Sequence, residues 1–167
     1  SGYLYSYNLT ADGRLDMENL IEPLYFGGAS TSTPAIYNNR VYIGISNGGN
    51  FGVEGYGILV GDINPETGAM SAAYVVPTDG YPQTSGLIVN GYEEEDGYVS
   101  VYFLTNSAHG TLYMVKDKAG MTEADSATGA FYTPNHEQYC IASAVADSDG
   151  NIYIKNDSAW QFVIRRS

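Results

Sequence analysis

The sequence predicts an all-β chain built from antiparallel meanders of up to four strands. Three observations carry that prediction. Apolar runs are short, about four to eight residues, and rich in Val, Ile and Tyr. They are separated by turn chemistry such as Ala11-Asp12-Gly13, Asn38-Asn39 and Asn64 to Gly68. No stretch keeps a helical period; the weak candidate, Leu15 to Ile21, places Leu15, Met17, Leu20 and Ile21 out of step with 3.6 residues per turn.

In chain order, Gly2 to Leu9 alternates and is expected as a strand. Leu15 to Ile21 is expected as loop or one short turn, and Glu22 to Phe26 as a strand. Thr33 to Tyr37 and Arg40 to Ser46 form a hairpin across Asn38-Asn39, because Asn tolerates the left-handed region. Asn47 to Gly55 is a glycine-rich loop. Tyr56 to Ile63 and Met70 to Val76 are strands around the Asn64 to Gly68 turn, and Pro77 to Gly80 is a connection. Thr84 to Val89 and Tyr98 to Thr105 are strands flanking the acidic tip Glu93-Glu94-Glu95-Asp96. Gly110 to Lys116 follows, with Ala130 to Thr133 as an outer strand. Cys140 to Ala146, Asn151 to Lys155 and Ala159 to Ile164 complete the chain around an Asp147 to Gly150 turn.

Three segments share one plan: a small polar lead, an apolar strand, a turn, and an aromatic strand. They begin at Thr33, Thr84 and Ala142. Four others resemble the strand that comes next: Gly2-Tyr-Leu-Tyr, Gly57-Ile-Leu-Val, Gly110-Thr-Leu-Tyr and Ala159-Trp-Gln-Phe. A spacing of about 50 residues is a propeller-blade period. The count is two strands, then four, four and three, in units 1–31, 32–83, 84–139 and 140–167 of one domain. The expectation is a partial β-propeller of about three blades. A compact β-sandwich or an open β-arc is the alternative.

Ser32-Thr-Pro-Ala-Ile-Tyr-Asn-Asn-Arg-Val-Tyr-Ile-Gly44 resembles the paired inner strands of PQQ-like (quinoprotein-type) β-propeller repeats. Asp62-Ile-Asn-Pro-Glu-Thr-Gly68 resembles their Ala-Leu-Asp-x-x-Thr-Gly turn, with Asn64 where that family usually has Asp. The family's usual Trp after Thr-Gly is missing, and Tyr74 lies nearby out of register. Enzymes of the family carry a Ca²⁺ site and a catalytic Asp in a full propeller, and many have an adjacent Cys pair. This chain has a single cysteine, Cys140, and only part of a ring. The resemblance therefore implies the fold without the dehydrogenase chemistry. A fragment of a PQQ-type dehydrogenase or hydrolase is an alternative.

Nineteen acidic against seven basic residues give a net charge of −12. Phosphate backbones and anionic lipids require Lys/Arg clusters, so nucleic acid is not an expected partner and neither is membrane insertion. The 44% hydrophobic content argues against disorder. One Cys rules out an intrachain disulfide. Sixteen Tyr and 20 Gly with little Lys resemble an extracellular bacterial β-protein. The opening Ser1-Gly2 is how a piece lacking its signal peptide would begin.

No catalytic constellation emerges, so the chain is expected not to be an enzyme, and no cofactor or metal is assigned. His109, His136 and Cys140 lack ligand spacing. Asp147-Ser-Asp-Gly-Asn151 alternates oxygen donors as calcium loops do. Without a late bidentate Glu it is expected as a hairpin turn. No Gly-x-Ser-x-Gly elbow occurs. Asn47 to Gly52 joins two strands and has no helix N-terminus to hold phosphate. Aromatic faces stack on sugars, so the ligand-binding candidates are Tyr56, Tyr81, Tyr92 and Trp160, with Tyr3 and Tyr5 beside them. The expected function is a non-enzymatic extracellular binding or adhesion module of a larger bacterial surface protein. It would recognise protein or glycan through loops on one propeller face. A scaffold that binds extended peptides by strand addition is an alternative, and self-association through blade edges is a further expectation.

Overall fold

The computed structural model describes residues 2–46, 49–91, 93–131 and 136–165. Its strands form four antiparallel sheets, each a simple meander in chain order. Sheet 1 is β1 (Tyr3–Leu4) with β2 (Leu24–Tyr25). Sheet 2 runs β3 (Ala35–Tyr37), β4 (Arg40–Ile45), β5 (Tyr56–Ile63) and β6 (Met70–Thr78). Sheet 3 runs β7 (Leu87–Val89), β8 (Val99–Leu104), β9 (Leu112–Asp117) and β10 (Ser126–Phe131). Sheet 4 is β11 (Val145–Ala146), β12 (Ile152–Lys155) and β13 (Gln161–Ile164). The fold is all-β as expected, with two, four, four and three strands, and the sheets do not close.

Local chemistry sets the turns. Asn38 and Asn39 take φ of 45° and 60°, which matches the twist of the β3–β4 hairpin. In the β5–β6 turn the Asn64 side chain accepts the N–H groups of Glu66 and Thr67, and Gly68 sits at φ 71°. At the β11–β12 turn Asp147 accepts the N–H groups of Asp149 and Asn151, the Asn151 amide and the Tyr153 hydroxyl. Asn151 and Tyr153 hold this carboxyl down to about 2. The Asp147 segment is thus a hairpin turn whose carboxylate is committed to the turn.

The sheets stack face against face. Phe26 of the first unit packs on Ile43, Ile45 and Leu59 of sheet 2. The other face of sheet 2, through Tyr42, Ile58 and Val60, meets Val101, Phe103 and Val115 of sheet 3. The far face of sheet 3, with Leu104 and Leu112, meets Cys140, Ile152 and Ile154. Sheets 2 and 3 are therefore covered on both sides, which explains why β4 is buried at every residue.

An ion pair links sheets 2 and 3. Arg40, 1% exposed, donates from Nε and Nη2 to the two carboxylate oxygens of Asp117, itself 0% exposed, at 3.0 and 2.8 Å. Asp117 also accepts the hydroxyls of Tyr42 and Tyr74 at 2.8 and 2.6 Å. Arg40 further bonds Asp62 and the Met121 carbonyl. Burial works against the guanidinium charge, yet Asp117 and Asp62 hold it firmly protonated.

Several strand limits differ from expectation, for physical reasons. β1 stops at Leu4 rather than Leu9. The register pairs Tyr3 with Tyr25 and Leu4 with Leu24, so the next partner would be Pro23, which has no N–H to give. The strands expected from Thr33, Thr84 and Cys140 begin later, at Ala35, Leu87 and Val145. Their small polar leads bond neighbouring sheets instead: Ser32 Oγ donates to the Thr84 carbonyl, and Ser143 Oγ accepts the Ser85 N–H. β6 continues through Pro77 to Thr78, tolerated because β6 is an edge strand. β10 starts at Ser126, earlier than Ala130, because the β9 ladder, not an apolar pattern, defines it; Thr133 lies outside the described residues. The acidic tip Glu93–Asp96 forms one turn of helix, α1, not plain loop.

Candidate functional site

In an antiparallel meander alternate connections lie at the same end. One end of the stack therefore collects the β4–β5, β6–β7, β8–β9, β10–β11 and β12–β13 connections. Most carboxylates sit at the opposite end, on the turns around Glu66, Glu93 to Asp96, Glu123 and Asp147. The loop end carries only Glu54, Asp79, Glu137 and Asp157. Its contact chemistry is accordingly aromatic and polar.

Tyr56, the first residue of β5, stacks on Tyr81 of the β6–β7 connection at 5.7 Å and 12°. Tyr56 is 40% exposed. Tyr81 is fixed from three sides. Its hydroxyl accepts the Thr31 N–H at 2.7 Å, its carbonyl accepts the Asn106 N–H at 2.7 Å, and Tyr81 and Asn106 form a β-bridge. Gln83 donates to the Thr31 hydroxyl at 2.9 Å and accepts from the Asn106 amide. The connection lies directly on β4. A Cβ on Gly44 would stand 1.7 Å from the Pro82 carbonyl oxygen, so only glycine admits this approach.

Beside this pair lies a cleft of about 340 Å³ lined by Asp79, His109, Thr111, Tyr113, Gly129 and Glu137. The Asp79 carboxylate accepts the hydroxyls of Thr105 and Thr111 at 3.0 and 2.6 Å, and its N–H donates to the Tyr113 hydroxyl. Burial, and secondarily the Asp79 charge, raises the Tyr113 hydroxyl above the usual tyrosine value. His109 Nδ1 lies 3.3 Å from Glu137, which ties the β8–β9 loop to the following connection. At the β12–β13 turn, Ala159 adopts φ 68° and Trp160, 54% exposed, stacks on His136 at 4.2 Å.

Three of the four aromatics chosen from sequence, Tyr56, Tyr81 and Trp160, thus share the loop end, and two of them touch. Tyr92 lies outside the described residues. Tyr3 and Tyr5 lie apart, on sheet 1. Sequence reading missed Thr31, Gln83, Asn106 and Asp79. Their signal was weak, because isolated polar residues in connections look alike until the sheets stack. Among the described residues no group of three or more His, Cys, Asp or Glu is arranged to hold a metal ion. No helix among them is long and apolar enough to cross a membrane.

The site geometry meets no precedent by sequence. No protein-family model matches the chain, and no curated protein matches it.

Proposed function

We propose that this chain is a non-enzymatic binding module, part of a PQQ-like propeller in a larger bacterial surface protein. On this reading it recognises a protein or glycan ligand through its loop end. The observation that carries the reading is the meeting of Tyr56 and Tyr81 over a hydrogen-bonded base of Thr31, Gln83 and Asn106. Rigid, half-exposed tyrosines give a large amphipathic contact area at low entropic cost. The lead-to-lead bonds from Ser32 to Thr84 and from Ser85 to Ser143 support the propeller part. Inner segments that each bond the next one trace an arc around a common axis. Open outer strands would also let copies associate edge to edge, which light scattering over a concentration series reads.

The test is a binding screen of the labelled chain against immobilised glycans and extracellular matrix proteins. The expected result is at least one ligand bound without turnover. Its affinity should fall about tenfold in Tyr56→Ala or Trp160→Ala, the loss of roughly one good aromatic contact. Absence of any ligand, or a ligand indifferent to both substitutions, would sink the reading.

A further inference from the structure

Sheet 1 turns its outer face to solvent, and that face is made of tyrosine. Tyr3 and Tyr25 pair in register with ring centroids 4.8 Å apart. Tyr5 follows 6.1 Å from Tyr3, and Tyr7 stacks 6.4 Å from Tyr5 at 16°. Residues two apart along an extended chain share a face, which aligns Tyr3, Tyr5 and Tyr7 in one row. All four rings are exposed, from 41% at Tyr7 to 58% at Tyr5. The row is held from behind. Phe26 is buried and donates its N–H to the Gly2 carbonyl, and Ser6 Oγ donates to the Gly68 carbonyl.

The chemistry of this face differs from that of the faces the sheets bury against each other. Those are mainly aliphatic, with Ile43, Leu59, Val101 and Val115 at their centres. An aliphatic cover over the tyrosine row would strand its hydroxyls, none of which bonds another described residue. No residue from Gly2 to Asn8 or from Pro23 to Gly28 is charged. A chain of net charge −12 repels a second copy and an anionic polymer alike. The fitting occupant is uncharged, extended, apolar on its flat faces and hydroxylated at its rim.

We propose that the Tyr7–Tyr5–Tyr3–Tyr25 row is a binding platform for an extended neutral polysaccharide. Sugar C–H groups lie on the electron-rich ring faces, and sugar hydroxyls pair with the phenols. The platform is separate from the loop end and stands whether or not that end binds a ligand.

Native affinity electrophoresis tests this, using gels containing mixed-linkage β-glucan, xylan or galactomannan, with light scattering run in parallel. At least one polymer should retard the chain. Tyr5→Ala and Tyr25→Ala should each weaken that retardation about tenfold, on the scale of one lost stacking contact. Tyr5→Phe should retain it within about threefold, because the stacking face survives. Tyr56→Ala and Trp160→Ala should leave it unchanged, which separates this platform from the loop end. Tyr5 is mostly exposed, so its variants should melt with the parent chain. Retardation by none of the three polymers overturns the proposal, as does retardation insensitive to Tyr5→Ala. A dimer that Tyr5→Ala dissolves also overturns it, assigning the row to a contact between copies.

Discussion

The Arg40 guanidinium sits between two sheets with almost no solvent contact, and its charge is answered by Asp117. Removing one member of such a pair leaves the other charge buried and unanswered. Asp117→Asn should therefore cost about 3–5 kcal/mol, read as a fall in the denaturation midpoint. A loss below about 1 kcal/mol would mean the sheets are held by apolar packing alone. The same centre sets an alkaline limit. Burial first, and Asp117 second, push the Tyr42 and Tyr74 hydroxyls well above the ordinary tyrosine value of 10.0. An acid raised on folding contributes stability fully below its unfolded pKa and loses it as pH rises through the folded one. The denaturation midpoint should hold steady to about pH 10 and then fall, with a shallower fall in Tyr74→Phe. A pH-independent midpoint between 9 and 12, on the order of the tyrosine range, would contradict this. Half of this centre was legible in sequence. Arg40 stands two residues before Tyr42 in an apolar strand, so period 2 puts both on one face. Asp117 lies 77 residues further on, and nothing local marks it as the partner.

At the scale of elements, the turns were readable and the leads were not. Asn38-Asn39, Asn64 to Gly68 and Asp147 to Gly150 close on themselves, so their own side chains announce them. Ser32, Thr84 and Ser143 looked like the first residues of strands. Their hydrogen bonds run to the next sheet, and such partners are invisible before stacking. Gly44 was similarly silent. In sequence it is one glycine in a strand; in the fold it is where the Tyr81 connection rests on β4. Gly44→Ala forces a methyl group against the backbone at Pro82, and backbone cannot swing aside as a side chain can. The expected cost is at least about 2–3 kcal/mol, the upper range for overpacking. It should also reduce ligand affinity at the Tyr56–Tyr81 pair, because the connection that holds Tyr81 must lift. Gly13→Ala is the control for crowding, since nothing lies within 4 Å of its added methyl. Equal midpoints for the Gly44→Ala chain and the parent would show that the connection yields freely.

For the whole molecule, the strand count of two, four, four and three followed from turn chemistry and alternation, but the order of stability did not. That order depends on which faces are covered. Sheets 2 and 3 share an aliphatic core and the Arg40–Asp117 pair, and each has a neighbour on both sides. Sheet 1 has two-residue strands and one uncovered face. Few ladder bonds and one-sided packing make a low-energy opening unit, whereas doubly covered strands open only with the molecule. Hydrogen exchange should therefore proceed in sequence. The Leu4 and Tyr25 amides should exchange first, those of sheet 4 next, and those of Ile58, Val60, Val101 and Val115 last, at the rate of global unfolding. Asp117→Asn should accelerate the last group far more than the first, because the pair it breaks lies between sheets 2 and 3. Uniform protection across the four sheets would mean that the stack unfolds as one unit and that sheet 1, despite its short ladder, is as firmly docked as the centre. Saturating polysaccharide should slow only the first group if the tyrosine row is the platform, since ligand stabilises the state that binds it.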